Sequence, residues 1–449
     1  MNFFTNDAYQ LSMLYAHWKN GHTFDVVAAE AYFRKFNRPS DEGKVVMAGS
    51  YRISEFIHSK EFTKPFKRSD MKHLKAMLKI PASDFKNFST YLLKEFPQEL
   101  KNLTISCAPD GEPLYWDFPV VQVKGSPGAV HMMETIILGI LNRSVRAATI
   151  ARRIRVAAGP KMKLLDFSTR RDDPDAAVHT GVAAFIGGFD ATSNMEAGRK
   201  YGIPVSGTMA HSYVLSYGMQ GEMEAFKDFL QTYPDTNCLL VDTFDTRRGI
   251  SKAMGASLAT GIPLKAIRID SGDPFETVPM ARQLLDSLGF HTTKIVVSGD
   301  FDEDLVFRTR NLPIDVIGVG SSLGSPDWSM GFVYKFVAVA KDPGIYALDM
   351  KPVMKISGGK TSLPGEKVWL ARSQGNLLTF AIPFYSDCED RVLKTLRTDE
   401  LEAKYFKETM HVHYFLHARN LRYERLSRIA RNFDKREVQK LASTLIRNS

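Results

Sequence analysis

The sequence predicts an α/β protein: a TIM-like barrel of parallel strands with α+β segments on either side of it. Three observations carry this. Four mid-chain segments are apolar runs that stop abruptly in acidic, glycine or serine residues: 239–243 (LLVDT), 266–273 (AIRIDSGD), 295–300 (IVVSGD) and 316–322 (VIGVGSS). Their polar ends recur roughly every twenty to thirty residues, the length of one strand–helix unit in a parallel barrel. Strand-like runs also lie both before about residue 125 and after about residue 342, so the two flanks are read as one domain. A chain of 449 residues exceeds what a single core holds.

Taken in order, residues 1–125 carry helical patches at 9–18, 47–58, 69–78 and 82–96, and strand-like runs at 28–36 and 114–123. The breaker Gly125-Ser126-Pro127-Gly128 follows. Met133, Ile136, Ile137, Ile140 and Leu141 then keep helical spacing, in a helix that closes near Gly159-Pro160. From there to about 340 the barrel rhythm takes over, beginning with Leu164-Leu165-Asp166. Residues 185–194 (FIGGFDATSN) read as a strand into a Gly-Gly turn that delivers Ser193 and Asn194 to the rim. The extended run 203–206 leads into Gly207-Thr208-Met209-Ala210-His211-Ser212. After Asp342-Pro343-Gly344 the pattern returns to strands, at 346–351 and 368–371. The expected domains are therefore 1–128, completed by about 342–395; the barrel, 129–341; and a basic helical tail, 396–449.

Composition narrows the class. The hydrophobic fraction of 44% and charged fraction of 24% are ordinary for a globular protein. No apolar stretch approaches the roughly twenty residues a membrane span needs, and the first ten residues do not resemble a secretory signal. Cys107, Cys238 and Cys388 lie far apart, which predicts a reducing cytoplasm and neither a disulfide framework nor a cysteine zinc site. The net charge of +9 is concentrated in 143–163 and after about 394. In the tail, Arg419, Arg422, Arg425, Arg428, Arg431 and Arg436 alternate with Leu421, Tyr423, Leu426 and Ile429, the pattern of a solvated helix face. Phosphate-rich small ligands explain that balance as well as RNA does, and nucleic acid is not expected.

Residues just past the C-terminal ends of parallel strands line the barrel mouth. Asp242, Arg268, Asp270, Asp273, Asp300 and the turn Gly320-Ser321-Ser322 are therefore expected to converge on one bowl. Carboxylates, an arginine and a Gly/Ser turn suit a polyol phosphate with a metal. Glycines let backbone amides approach an anion, and the serines add donors. Ser357-Gly358-Gly359-Lys360-Thr361 imitates a P-loop, but Met354 stands where the first glycine belongs, so a turn is the better reading. His211, between Thr208 and Ser212, stands equally as a structural or a catalytic residue. His411, His413 and His417 read as surface histidines without an acidic or cysteine partner. Arg170 and Arg171 beside Phe167 suit a planar anion, or a loop paired with Asp172, Asp173 and Asp175.

Taken together, these segments resemble the nicotinate phosphoribosyltransferases, a family of type II phosphoribosyltransferases. The resemblance runs through Asp7-Ala8-Tyr9-Gln10, residues 167–171, Gly187-Gly188-Phe189-Asp190, Ser193-Asn194, Gly207-Thr208, Ala210-His211-Ser212 and Asp242-Thr243. It continues through residues 268–273, Ser298, residues 300–303, residues 318–322, Val333-Tyr334-Lys335 and Leu363-Pro364-Gly365. It implies an irregular α/β barrel beside an α+β domain built from both chain ends, assembled as a homodimer that joins nicotinate to 5-phosphoribosyl 1-diphosphate (PRPP), coupled to ATP hydrolysis with Mg2+, in NAD salvage. By position, His211 resembles the histidine phosphorylated by ATP. Phe167 and Tyr9, the latter from the partner subunit, would sandwich the pyridine. Arg268, Ser193 and Thr208 would hold its carboxylate, and Arg170 would sit between pyridine and sugar phosphate. Asp270, Gly299 and Asp300 would take the ribose, Gly320, Ser321 and Ser322 the 5′-phosphate, and Ser362 the diphosphate region. Nicotinamide-using relatives place an aspartate where Ser193 aligns, and a serine can donate to a carboxylate, so nicotinate is expected. Two positions depart from the family: Asn6 replaces a threonine and Ser168 a glycine. The alternatives are a nicotinamide-using or ATP-uncoupled relative, an RNA- or partner-binding protein acting through the tail, and an aldolase-type barrel. The last needs a Schiff-base lysine, and neither Lys294 nor Lys335 stands at a strand end.

Overall fold

The structure, a computed structural model, describes residues 1–34, 44–114, 119–326, 328, 330–341, 350–353, 355, 362, 365–369 and 381–384. In chain order the strands are β1 (Val26–Phe33), β2 (Thr104–Cys107), β3 (Val121–Gly125), β4 (Lys163–Asp166), β5 (Ala191–Thr192), β6 (Cys238–Leu240) and β7 (Ala266–Ile269). They continue as β8 (Lys294–Val297), β9 (Val316–Val319), β10 (Phe332–Ala340), β11 (Lys351–Pro352), β12 (Glu366–Trp369) and β13 (Ala381–Phe384). The described residues divide into two compact units, one drawn from the stretches before 44, from 49 to 142 and from 330 onward, the other of 44–48 and 143–329. Residues 44–48 join the second because Val46 and Ala48 pack on Ala147, Ala148 and Ala183.

The first unit is an antiparallel sheet in the order β11-β10-β1-β3-β2. β10, some three hundred residues on from β1, pairs with it along its length, from Val26 opposite Ala340 to Phe33 opposite Phe332. Both chain ends thus build this sheet. The predicted helix at 82–96 is broken: Ala82–Thr90 is α-helical, Tyr91–Glu95 a π turn, and Phe96–Lys101 α-helical again.

In the second unit the apolar runs become six parallel strands in the order β5-β4-β9-β8-β7-β6. Both faces are largely covered, which is why the strands read as near-continuous apolar runs, broken by Arg268 in β7 and Gly318 in β9. Leu164, Leu239, Ile267, Ile269, Ile295, Val297, Ile317 and Val319 share one core with the helices between them. Four of those helices begin on aspartates that accept a bond from their own first-turn amides: Asp173 for Pro174–Ile186, Asp245 for Thr246–Thr260, Asp273 for Pro274–Ser287 and Asp302 for Glu303–Thr309. Asp273, expected in the bowl, is thus a helix cap, its carboxylate 2.9 Å from Phe275 N.

Residues 185–194 correct the sequence reading. Phe185 and Ile186 end the helix Pro174–Ile186, Gly188 turns at φ 108°, and only Ala191–Thr192 is strand. The apolar string imitated a strand, but the Asp173 cap and Pro174 at the first position start a helix whose Gly187 lies too close to Ala148 O for any side chain. The predicted tail with its arginines and His411, His413 and His417, the P-loop-like turn at 357–361, and Cys388 lie outside the described residues. Among the described residues no helix is long and apolar enough to cross a membrane.

Candidate active site

Alternation along β7 puts Ile267 and Ile269 into the core and turns Arg268 the other way. Its guanidinium is then held on every side. Nε donates to Ser298 Oγ at 2.7 Å, Nη2 to Asp270 Oδ1 at 2.7 Å, and Nη1 reaches Thr208 Oγ1 and the Met209 carbonyl, each at 3.4 Å. Its plane lies over the Phe167 ring, 5.1 Å from the centroid. Ser298 also donates to Asp270 Oδ1 at 2.5 Å. Burial pushes the Asp270 carboxyl up, but the Ser298 bond and the Arg268 charge outweigh it and hold the group below the usual carboxylate range.

Two further side chains complete this cluster. Asp242, past the end of β6, accepts from the Asp270 amide at 2.9 Å and from Ser271 Oγ at 2.6 Å through one oxygen, while its buried Oδ1 has no hydrogen-bond partner. His211, first residue of the helix His211–Leu215, sets Nδ1 3.1 Å from Thr243 Oγ1 and Nε2 3.9 Å from Asp270 Oδ2.

Phe167 follows β4 and donates its amide to Val319 O at 2.8 Å. Gly318 makes room for its ring: a Cβ there would lie 2.4 Å from two ring carbons. Behind it, the fully buried Asp166 accepts from Ser168 N at 2.8 Å and Thr192 Oγ1 at 2.6 Å, tying the ends of β4 and β5 together. Ser193 then stands 3.3 Å, hydroxyl to hydroxyl, from Thr169. Ser168 adopts φ −79°, ψ −10°, a region open to any residue, so its departure from the family glycine strains nothing. Arg170 is exposed on the turn Thr169–Arg171.

At the neighbouring strand ends, Gly299 turns at φ 119° against Asp270 O, and Ser321 Oγ lies 3.5 Å from Asp300. Ser322 donates to Phe301 O at 2.8 Å, and Gly320 opens the helical turn Ser321–Gly324 close to the Phe167 carbonyl. Tyr9 and Ser362 belong to the first unit. Tyr9 is exposed on the helix Ala8–Lys19, and Ser362 is buried, its Oγ accepting from Lys355 N. Asn6 there donates to Met132 O at 3.0 Å. The sequence reading assigned no role to Ser298, Thr243, Asp166 or Thr169. Each stands at a strand's polar end, which was the visible signal, but its partner lies 24 to 32 residues away.

Fold and site define an α/β protein whose polar cluster gathers at the carboxyl ends of parallel strands, where open α/β sheets carry their ligand sites. Residues 162–362 match the model of the nicotinate phosphoribosyltransferase (NAPRTase) family. A nicotinate phosphoribosyltransferase of Mycobacterium tuberculosis is 35% identical over 376 residues, 82% of this chain and 78% of that protein. One of Bacillus subtilis is 34% identical over 381 residues, 82% and 73%. The chain belongs to the nicotinate phosphoribosyltransferase family. Among solved structures, human nicotinic acid phosphoribosyltransferase superposes with a TM-score of 0.66 at 25% identity, covering 83% of this chain and 80% of that one. A nicotinate-nucleotide pyrophosphorylase from Pyrococcus furiosus shares the fold, with a TM-score of 0.63 at 22% identity over 85% and 83%.

Proposed function

We propose that this chain joins nicotinate to 5-phosphoribosyl 1-diphosphate, releasing nicotinate mononucleotide and diphosphate, and that ATP drives the reaction through phosphorylation of His211. Family membership supports the overall reaction. The observation that carries the assignment of roles is the Arg268–Ser298–Asp270 network, with Phe167 on one side of it and His211 on the other.

Displacing diphosphate from the anomeric carbon builds positive charge on the ribose. Asp270, kept ionised by its own bonds, answers that charge without having to lose a proton first. The pyridine nitrogen is a nucleophile at neutral pH, so no general base is required and the work is positioning. Phe167, for whose ring Gly318 leaves room and over which the Arg268 guanidinium lies, would stack against the pyridine. Arg268 Nη1, whose two contacts are long, is the guanidinium nitrogen with donor capacity left for a carboxylate, beside the Thr208 and Ser193 hydroxyls. Arg170, exposed, would contact the sugar phosphate, and Gly299, Asp300, Gly320, Ser321 and Ser322 would take the ribose hydroxyls and 5′-phosphate. Tyr9 from the partner of a homodimer would close the pyridine sandwich, and Ser362 would meet the diphosphate.

Among the described residues no three His, Cys, Asp or Glu side chains form a metal cage. Magnesium characteristically uses one or two carboxylates plus substrate phosphates. The unpartnered Asp242 Oδ1 suits that mode. Magnesium bound there would neutralise charge on the diphosphate. The cysteine pattern supports a cytoplasmic enzyme.

Paired turnover assays with nicotinate and nicotinamide, each with and without ATP, test the proposal. Nicotinate is expected to be used faster and ATP to be consumed with it, with acid-labile phosphate on His211. Faster use of nicotinamide would reject the substrate, and no nucleotide product from either base would reject the function.

A further inference from the structure

We propose that Thr243 is the positioning residue for His211, its hydroxyl holding the imidazole at Nδ1 so that Nε2 faces Asp270. The inference rests on the reading of His211 as the phosphoryl acceptor. Thr243 follows β6, and His211 begins its helix 32 residues earlier. Thr243 Oγ1 bonds Nδ1 at 3.1 Å, and on the opposite edge Asp270 Oδ2 stands 3.9 Å from Nε2, beyond hydrogen-bond reach but near enough for its charge to favour a proton on that nitrogen. Asp270 does not drift either, because Asp242 anchors its amide at 2.9 Å and Arg268 and Ser298 bind its other oxygen. Adjacent residues of one turn, Asp242 and Thr243, therefore fix both members of the His211–Asp270 pair.

The chemistry needs such a grip. A carboxylate facing Nε2 favours the tautomer with its proton there, and the tautomer is set by the bond each nitrogen makes. Nδ1 then carries the lone pair and accepts from the Thr243 hydroxyl. Rotation of the Thr243 side chain about Cα–Cβ carries Oγ1 off the Nδ1 lone pair when a phosphoryl group arrives. The Nδ1–P bond forms as the bridging P–O bond of ATP breaks, and ADP leaves with the electron pair. The Nε2 proton stays on the ring against Asp270, and the hydroxyl is free to donate to a phosphoryl oxygen.

Valine keeps the shape of threonine and removes the hydroxyl, whereas serine keeps the hydroxyl. The full chain and its Thr243→Val, Thr243→Ser and His211→Asn variants are incubated with γ-labelled ATP, and phosphoenzyme formation is followed by rapid quench. 15N-histidine NMR of the same folded proteins reads the ring tautomer. Thr243→Val is expected to slow phosphorylation about tenfold to a hundredfold and to mix the tautomers, while Thr243→Ser stays within about threefold of the parent. Wild-type rate and tautomer in Thr243→Val would overturn the inference, as would a serine variant as slow as the valine one. Label lost in His211→Asn but untouched in Thr243→Val refutes only the role of Thr243. Label retained in His211→Asn refutes the acceptor reading and this inference with it.

Discussion

Replacing Ser298 with alanine removes one oxygen that two charged groups share. Arg268 Nε loses its acceptor at 2.7 Å and Asp270 Oδ1 loses a donor at 2.5 Å. Ser298 is only 7% exposed, so water does not simply take its place. A buried partner left unsatisfied costs about 1–3 kcal/mol. The Arg268 and Asp270 side chains are 12% and 20% exposed, which lets solvent recover part of this. A loss of about 1–2 kcal/mol in stability is expected, and about tenfold in kcat/KM for nicotinate, since about 1.4 kcal/mol is a factor of ten. The pH dependence has a definite sign. Because the folded value of Asp270 lies below its ordinary one, its contribution is full above the ordinary value and is lost as the pH falls through the folded value. Ser298→Ala moves the folded value back up. The stability gap between parent and variant is therefore widest near neutrality and narrows in acid. Urea midpoints across that range, with nicotinate kinetics at neutral pH, test this. Midpoints and kcat/KM that match the parent throughout would show that the Arg268–Ser298–Asp270 relay contributes nothing.

Three other substitutions probe separate parts of the site. Gly318→Ala places a Cβ 2.4 Å from the Phe167 ring, so the ring must turn; the nicotinate KM should rise severalfold and stability fall by about 1–3 kcal/mol, read by kinetics and thermal melts. Ser193→Asp sets a carboxylate against the ligand's own, and the ratio of nicotinate to nicotinamide turnover should fall at least about tenfold in competition assays. Asp166→Asn removes a carboxyl that burial pushes above its ordinary range. A raised carboxyl favours the fold most at low pH, and that contribution is lost as pH rises through the folded value. Urea titrations of the variant should therefore show a weaker decline in stability from acid to neutral pH.

Some elements were legible because their signals are local. β6, β7, β8 and β9 fall within one to two residues of the apolar runs that announced them, since a strand buried in a parallel sheet has no polar face to interrupt the pattern. Segment 185–194 misled because a short apolar run suits either a strand or the end of a helix, and the deciding signal, the Asp173 cap with Pro174, lies a dozen residues upstream. Asp273 misled in the opposite way. It stands at a strand's polar end like Asp270, but a carboxylate immediately before Pro274 is taken by the next helix as its cap.

The residue types at the site, and the strand ends that carry them, were determined by the sequence alone, because hydrophobic runs and their abrupt polar stops depend only on neighbours along the chain. Which atoms meet was decided by the tertiary structure. That Arg268, Ser298 and Asp270 share one oxygen, that Gly318 makes room for Phe167, and that Thr243 grips His211 all follow from the lateral order and register of parallel strands. Pairing between strands brings together residues some thirty positions apart, and no periodicity within a single strand records which neighbour it will have.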